Sequence, residues 1–199
     1  MNRPADVVLA GLALVVSSPL LAAAALAVKL EDGGPVLFRQ KRVGKDGADF
    51  ELLKLRTMVE GAERQGAGFA VDRGDARITR VGRVLRRTSV DELPQLWNVF
   101  RGDMSIVGPR PIRPAFFEEL CEEIPQYWQR LVVDPGMTGF AQLRMTRETS
   151  WAEKLAHDLE YIADRSVALY LRVVAATAWR VLTSPFRALA GLASRSPGG

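Results

Sequence analysis

The stretch from Ser89 to Pro111 reads SVDELPQLWNVFRGDMSIVGPRP. Two adjacent carboxylates, Asp91 and Glu92, follow the arginine pair Arg86 and Arg87 and precede Arg110, which stands between Pro109 and Pro111. Acids set among arginines suit chemistry on phosphate. Consecutive helical residues point about 100° apart, so the two acids can do different work. One can attack a phosphorus atom, since an aspartate nucleophile forming an acyl phosphate is established chemistry. The other can hold Mg²⁺, which takes one or two carboxylates together with phosphate oxygens and water. Arginines, Arg110 among them, neutralise charge on a transferring group. The two prolines stiffen the backbone that presents Arg110.

Those side chains need elements to hold them. Ser89-x-x-Glu92 is a capping-box pattern; alternatively Asp91 is the N-cap and Pro94 takes a first-turn position. Either way the acids sit at a helix start, where ordinary capping also accounts for them. The helix dipole and Arg86–Arg87 are expected to keep Asp91 deprotonated. Gly33-Gly34-Pro35 reads as a turn, Pro35 to Gln40 as a strand, Lys45 to Asp49 as a hairpin turn and Phe50 to Arg56 as the returning strand. Arg64 to Asp75 reads as a polar, Gly-rich loop. Ile78 to Arg87 interleaves arginines with apolar residues. Ile112 to Val132 is expected to be one helix, with Phe116, Phe117, Leu120, Ile124, Trp128 and Leu131 as its packing stripe. Asp134 to Gly139 reads as a turn and Trp151 to Arg165 as an amphipathic helix. Ser166 to Ser184 is apolar but carries Arg172 and Arg180, with Arg187 beyond. It fits a helix lying in a bilayer interface, or one packed on the domain.

The 199 residues suggest one domain. Hydrophobic residues at 48% supply a core, while 25% charged residues argue against a polytopic membrane protein. The formal charge of +4 suits anionic lipid, phosphate or nucleic acid alike. With Cys121 the lone cysteine and His157 the lone histidine, an internal disulfide is impossible, a zinc site is argued against, and a reducing compartment is compatible.

Val7 to Val28 carries no charge and is long enough to cross a hydrocarbon core of ~30 Å. Ser17-Ser18-Pro19 interrupts it near the middle. Proline removes a donor from the carbonyl of Val15, and serine hydroxyls can satisfy such freed groups locally. A kinked spanning helix, a secretory signal with Ala25-Leu26-Ala27 as its cleavage site, and a re-entrant hairpin all remain open on these residues. The cations Lys29, Arg39, Lys41, Arg42 and Lys45 make the following flank cytoplasmic.

The chain resembles the bacterial sugar transferases, the small monotopic phosphoglycosyl transferases. The resemblance runs from about Arg3 to Arg180. It rests on Ser18-Pro19, GPVLFRQKRVG (Gly34–Gly44), KLRTM (Lys54–Met58), the run from Ala76 to Pro111, and PGMTGFAQ (Pro135–Gln142), in that order. It implies an α/β fold, mostly helical with a small β-hairpin. Residues 1–30 would form a re-entrant membrane helix broken at Ser18-Pro19. Residues 31–184 would form a catalytic domain with amphipathic interfacial helices on the cytoplasmic face of the bacterial inner membrane, and 185–199 a C-terminal helix and tail. Asp91 matches the family nucleophile and Glu92 its partner, associated with Mg²⁺. Lys54, Arg56 and Arg86 match basic positions, and Pro109-Arg110-Pro111 a motif linked to nucleotide binding. The implied reaction is ping-pong. A UDP-sugar loses UMP to leave a phosphosugar on Asp91, and polyprenyl phosphate then takes it, in the first membrane step of glycoconjugate synthesis. Nucleic acid is not an implied partner; a homodimer is compatible.

The chain also departs from the family. Arg144-Met145-Thr146, followed by Arg147, replaces the usual Asn-Gly-Arg run, and Tyr170 replaces a frequent aspartate. Asp158 and Tyr161 match the family pattern and also fit a helix surface and core edge. A non-enzymatic scaffold binding anionic lipid explains the basic residues and apolar ends, though not the acid pair. A transfer without a covalent intermediate, with Asp91 only a metal ligand, is a further alternative.

Overall fold

A computed structural model describes residues 3–62, 75–145 and 149–193. Residues 64–74 of the Gly-rich stretch, Thr146, Arg147, the terminal SRSPGG and the side chains of Phe186 and Arg187 lie outside what is described. The described residues are mostly helical, with two two-stranded sheets and one long apolar helix at the N-terminus.

Helix α1 covers Arg3–Asp32. The break expected at Ser18-Pro19 does not form: the backbone remains helical through the proline. Ser18 Oγ donates to the Val15 carbonyl at 2.8 Å, the acceptor that Pro19 leaves without a donor, and Ser17 Oγ donates to Ala13 O at 2.6 Å. Ser18 thus repairs locally what the proline removes. Both ends of α1 are tied to the body that follows. Arg3 donates to the carbonyls of Val99 and Phe100. Asp6 accepts from Ser105 Oγ (2.8 Å), the Ile106 amide (3.0 Å) and Tyr170 Oη (2.7 Å). At the other end Glu31 accepts from the Arg80 and Val81 amides, and Asp32 pairs with Arg56. Between these ties the helix turns Val15 and Val16 outward, 72% and 79% exposed.

Strands β1 (Leu37–Val43) and β2 (Asp49–Leu55) form the expected antiparallel hairpin, with Leu37 opposite Leu55 and Gln40 opposite Leu52. Asp46 and Gly47 turn the chain in left-handed conformation. Leu52 joins Ala10, Leu96, Val99 and Met104 in one core cluster, and Leu55 joins Ala24, Val28 and Leu85 in a second. Both legs of α1 are therefore packed on β2 and its neighbours. Helices α2 (Arg80–Thr88) and α3 (Gln95–Arg101) follow, joined by a 3₁₀ turn over Val90–Glu92.

The second sheet is not foreseen from the sequence. Strand β3 (Ser105–Val107) runs parallel to β4 (Gly136–Thr138), a segment expected to be a turn. Glycine makes this possible, because a Cβ on Gly136 would lie 2.1 Å from the Gly108 nitrogen and one on Gly108 2.4 Å from the Asp134 carbonyl. The backbones touch directly, so the strand signal of alternating side chains is absent.

The helix expected over Ile112 to Val132 is two pieces. Helix α4 covers Pro114–Glu123, and a 3₁₀ turn covers Tyr127–Val132. Pro125 ends the first by forcing Ile124 out of helical dihedrals. Phe116, Phe117, Leu120 and Ile124 do pack, on Tyr127, Leu155 and Trp151, but Trp128 stays outside this core. Helices α5 (Phe140–Arg144), α6 (Trp151–Ala163) and α7 (Val167–Ala193) complete the chain. Helix α7 packs by Tyr170 and Val173 and bonds Thr138 through Thr177, while Leu171 and Trp179 face outward. Tyr170 donates to Asp6, which an ionised aspartate at that position could not do.

Candidate active site

Thr79 caps α2 by accepting from the Gly82 amide. A Cβ on Gly82 would fall 2.1 Å from the Thr57 carbonyl, so α2 lies directly against the chain leaving β2. This approach lets Arg86 Nε donate to Thr57 Oγ1 at 2.7 Å. Ser89 then adopts left-handed dihedrals (φ 58°, ψ 17°), ends α2 and swings Asp91 and Glu92 into the 3₁₀ turn. The expected capping box does not form, nor does Asp91 cap α3, whose N-cap is Pro94. The reason lies in where the Glu92 carboxylate goes. Its Oε1 accepts from Lys54 Nζ on β2 and from Arg110 Nη2, each at 2.7 Å. Two cations outcompete one backbone amide.

Asn98, fully buried on α3, fixes the distance between this turn and β2. Its Oδ1 accepts from the Leu53 amide at 3.0 Å and its Nδ2 donates to the Glu51 carbonyl at 2.7 Å. No motif reading singled it out. A polar residue among the apolar positions of a short helix was the available signal, because buried amides are bonded.

The adjacent acids have opposite electrostatics. Burial alone would raise the Glu92 carboxyl, but Arg110 and Lys54 outweigh it and hold the group far below the ordinary carboxylate range. Asp91 is 8% exposed. Burial and then the Glu92 charge push it up to about 6, with Lys54 and Arg86 opposing. The expectation that neighbouring arginines dominate Asp91 is thus corrected in sign: desolvation wins. The group is still mainly ionised at neutral pH. Burial also lowers Lys54, against the pull of Glu92.

Asp91, Glu92, Lys54, Arg56, Arg86 and Arg110 line one cleft of about 840 Å³. Arg56 reaches it with its guanidinium engaged by Asp32 of α1. Pro109 and Pro111 do not line it. They act from behind, as acceptors: the Pro109 carbonyl takes the Gly136 amide at 2.9 Å and the Pro111 carbonyl takes Arg42 Nη1 at 3.0 Å. A second cavity of about 760 Å³ opens on the other side of Arg110, walled by Arg113, Arg130, Lys154, Arg180, Phe116 and Trp151. Arg144 stands apart from both cavity walls, in ion pair with Glu160. The two carboxylates offer hard oxygen donors of the kind Mg²⁺ takes, with the remaining positions left to phosphate and water. A buried carboxylate facing a cleft lined with cations can attack an electrophilic phosphorus whose oxygens those cations hold.

A family model described as bacterial sugar transferase matches residues 1–184. A protein of Caulobacter vibrioides named UDP-glucose:undecaprenyl-phosphate glucose-1-phosphate transferase is 48% identical over 189 residues, covering 92% of this chain and 70% of the relative. One of Aeromonas hydrophila named UDP-N-acetylgalactosamine-undecaprenyl-phosphate N-acetylgalactosaminephosphotransferase is 42% identical over 186 residues, and the match spans 44% of its length. The exopolysaccharide production protein PSS of Rhizobium leguminosarum bv. phaseoli is 40% identical over 195 residues, with 96% of it covered.

Proposed function

The chain belongs to the bacterial sugar transferase family, and on that premise we propose that it moves a sugar 1-phosphate from a UDP-sugar to polyprenyl phosphate through a covalent phosphosugar on Asp91. The observation that carries this reading is the unequal pair. Glu92 is neutralised by Lys54 and Arg110, while Asp91, beside it, is buried and raised to about 6. A desolvated carboxylate of raised basicity is a better nucleophile than a solvated one.

In the first step an Asp91 oxygen attacks the sugar-side phosphorus. The bond from that phosphorus to the bridging oxygen breaks, and its electron pair leaves with UMP. In the second step an oxygen of polyprenyl phosphate attacks the same phosphorus, and the acyl phosphate bond breaks to return the Asp91 carboxylate. Neither step needs a proton donor, in keeping with a cleft lined by arginines that can offset the charge on the departing oxygens. Arg110 and Lys54 hold phosphate oxygens, and the cavity beyond Arg110 receives the leaving nucleotide. Mg²⁺, held by Asp91 and Glu92, would supply further neutralisation of the diphosphate.

The same reading puts the domain on the cytoplasmic face of the inner membrane, with α1 as a monotopic anchor whose two ends stay on one side. What supports it is that both ends of α1 bond to one body, through Arg3 and Asp6 at one end and Glu31 and Asp32 at the other, while Val15 and Val16 are exposed between them. A helix crossing the bilayer would carry its ends to opposite sides.

The test is to incubate the purified protein in nanodiscs with Mg²⁺ and a panel of UDP-sugars labelled in the sugar phosphate, without lipid acceptor. Stoichiometric UMP release and label retained on the protein are expected with one sugar, and neither with Asp91→Asn. Turnover that needs the lipid acceptor and leaves no label on the protein would replace the covalent scheme with direct transfer.

A further inference from the structure

We propose that Arg130 and Asp158, outside the reacting cleft, are a positioning pair that sets Arg110 on Glu92 and on the transferring phosphate. The inference rests on the reading of the site given above. It begins from the segment that carries Arg110. Four consecutive carbonyls, Pro109 to Ile112, each accept a hydrogen bond from another element. The donors are the Gly136 amide of β4, Arg130 Nη2 of the second 3₁₀ turn, and Arg42 Nη1 and the Val43 amide of β1, at 2.9 to 3.0 Å. Proline at 109 and 111 fixes φ at two of these positions. A segment without helix or strand is thereby held as firmly as one.

Of the four donors, only Arg130 grips the carbonyl of Arg110 itself. Its guanidinium is held on further sides as well. Nη2 lies 2.7 Å from Asp158 Oδ2 on α6, Nη1 donates to Tyr127 Oη at 2.8 Å, and the plane lies over the Tyr127 ring. The side chains of Arg130 and Asp158 are 5% and 6% exposed. A buried arginine needs its counter-charge, and its planar fork serves three acceptors at once in a way that lysine cannot. The path is continuous: α6 holds Asp158, Asp158 holds Arg130, Arg130 holds the Arg110 backbone, and the Arg110 side chain meets Glu92 Oε1. A misplacement of the order of 1 Å at a group that clamps phosphate can cost about 100-fold in rate.

The experiment uses Arg130→Lys, with Asp158→Asn read the same way if that variant does not fold. The full chain in nanodiscs is examined in two ways. In arginine-selective ¹⁵N spectra, the Arg110 Nε–H signal is first identified by its loss in Arg110→Lys. That signal is expected to shift or broaden in Arg130→Lys, and this readout is independent of turnover. In the UMP-release assay, kcat is expected to fall roughly 10- to 100-fold for protein shown to be folded, with a smaller change in KM. In an Arg110→Ala background the same substitution should cost little more, because both changes act through one side chain. An unmoved Arg110 signal, or equal losses with and without Arg110, would overturn the proposal and leave Arg130 either a packing residue or a direct wall of the nucleotide cavity. If the unsubstituted protein releases no UMP, the transferase reading fails, and the Arg110 signal alone decides whether Arg130 positions it.

Discussion

The pattern Ser-x-x-Glu occurs at Ser89–Glu92 and again at Ser150–Glu153, and the two copies fold differently. At Ser150 the box closes: the serine hydroxyl accepts from the Glu153 amide at 3.2 Å, and the Glu153 carboxylate accepts from the Ser150 amide at 3.0 Å. At Ser89 the serine goes left-handed, and Glu92 turns to Lys54 and Arg110. Identical local grammar is obeyed where nothing competes and broken where two cations stand within reach. A locally inconsistent residue is a sign of function. The one substitution Glu→Gln separates the copies most widely. At 92, glutamine removes the shared ion-pair partner of Lys54 and Arg110, and UMP release should fall by roughly 100-fold or more. At 153, glutamine still closes the box, so activity should be unchanged and stability should drop by about 0.3 kcal/mol, the helix-dipole contribution. Equal behaviour of the two variants would make Glu92 a capping residue after all.

Asp91 sharpens the contrast within the first copy. Its carboxyl is raised to about 6 in the folded protein, so folding there favours the protonated form. That contribution to stability is present below the unfolded value near 4 and is lost as pH rises through 6. Glu92 is depressed, so its contribution is present above its unfolded value and is lost as pH falls. Asp91→Asn should therefore abolish transfer yet raise stability at pH 7, by an amount on the order of 2 kcal/mol. At pH 4 the gain should vanish, which paired thermal melts would show. The rate of the first half-reaction should climb with pH as Asp91 ionises and level off above about 7.

The sequence was informative where chemistry or turn residues dictate structure. The β-hairpin follows from its strands and Asp46-Gly47, and the catalytic candidates from their residue types. Asp91, Glu92, Lys54, Arg86 and Arg110 meet in one cleft although 56 residues separate Lys54 from Arg110 in the chain. What was not legible depends on tertiary competition. The strand Gly136–Thr138 exists because glycine backbones touch, and no side-chain period announces that. The α1 helix survives Pro19 because the Ser18 hydroxyl happens to face the orphaned Val15 carbonyl. The sign of the Asp91 shift follows from burial, which a list of neighbouring arginines does not reveal.

Removing the serines gives a smaller effect. Ser150→Ala deletes an N-cap acceptor and should cost about 1 kcal/mol of stability. Ser89→Ala deletes no cap, since its hydroxyl makes none.

Ser89→Gly should carry the opposite sign to Ser150→Ala, and the argument is conformational. Ser89 sits at φ 58°, the left-handed region in which a Cβ crowds the following carbonyl. Glycine relieves that crowding but has more freedom to lose on folding. Left-handed strain of roughly 1–2 kcal/mol exceeds the glycine entropy cost of roughly 0.5–1 kcal/mol, so the variant should be more stable by a few tenths of a kcal/mol. Because the turn that follows carries Asp91 and Glu92, the same change loosens the hinge that aims them. Activity is expected to fall no more than a few-fold while the melting temperature rises slightly. A fall in both would mean that the serine side chain supports the turn in a way its backbone geometry does not explain.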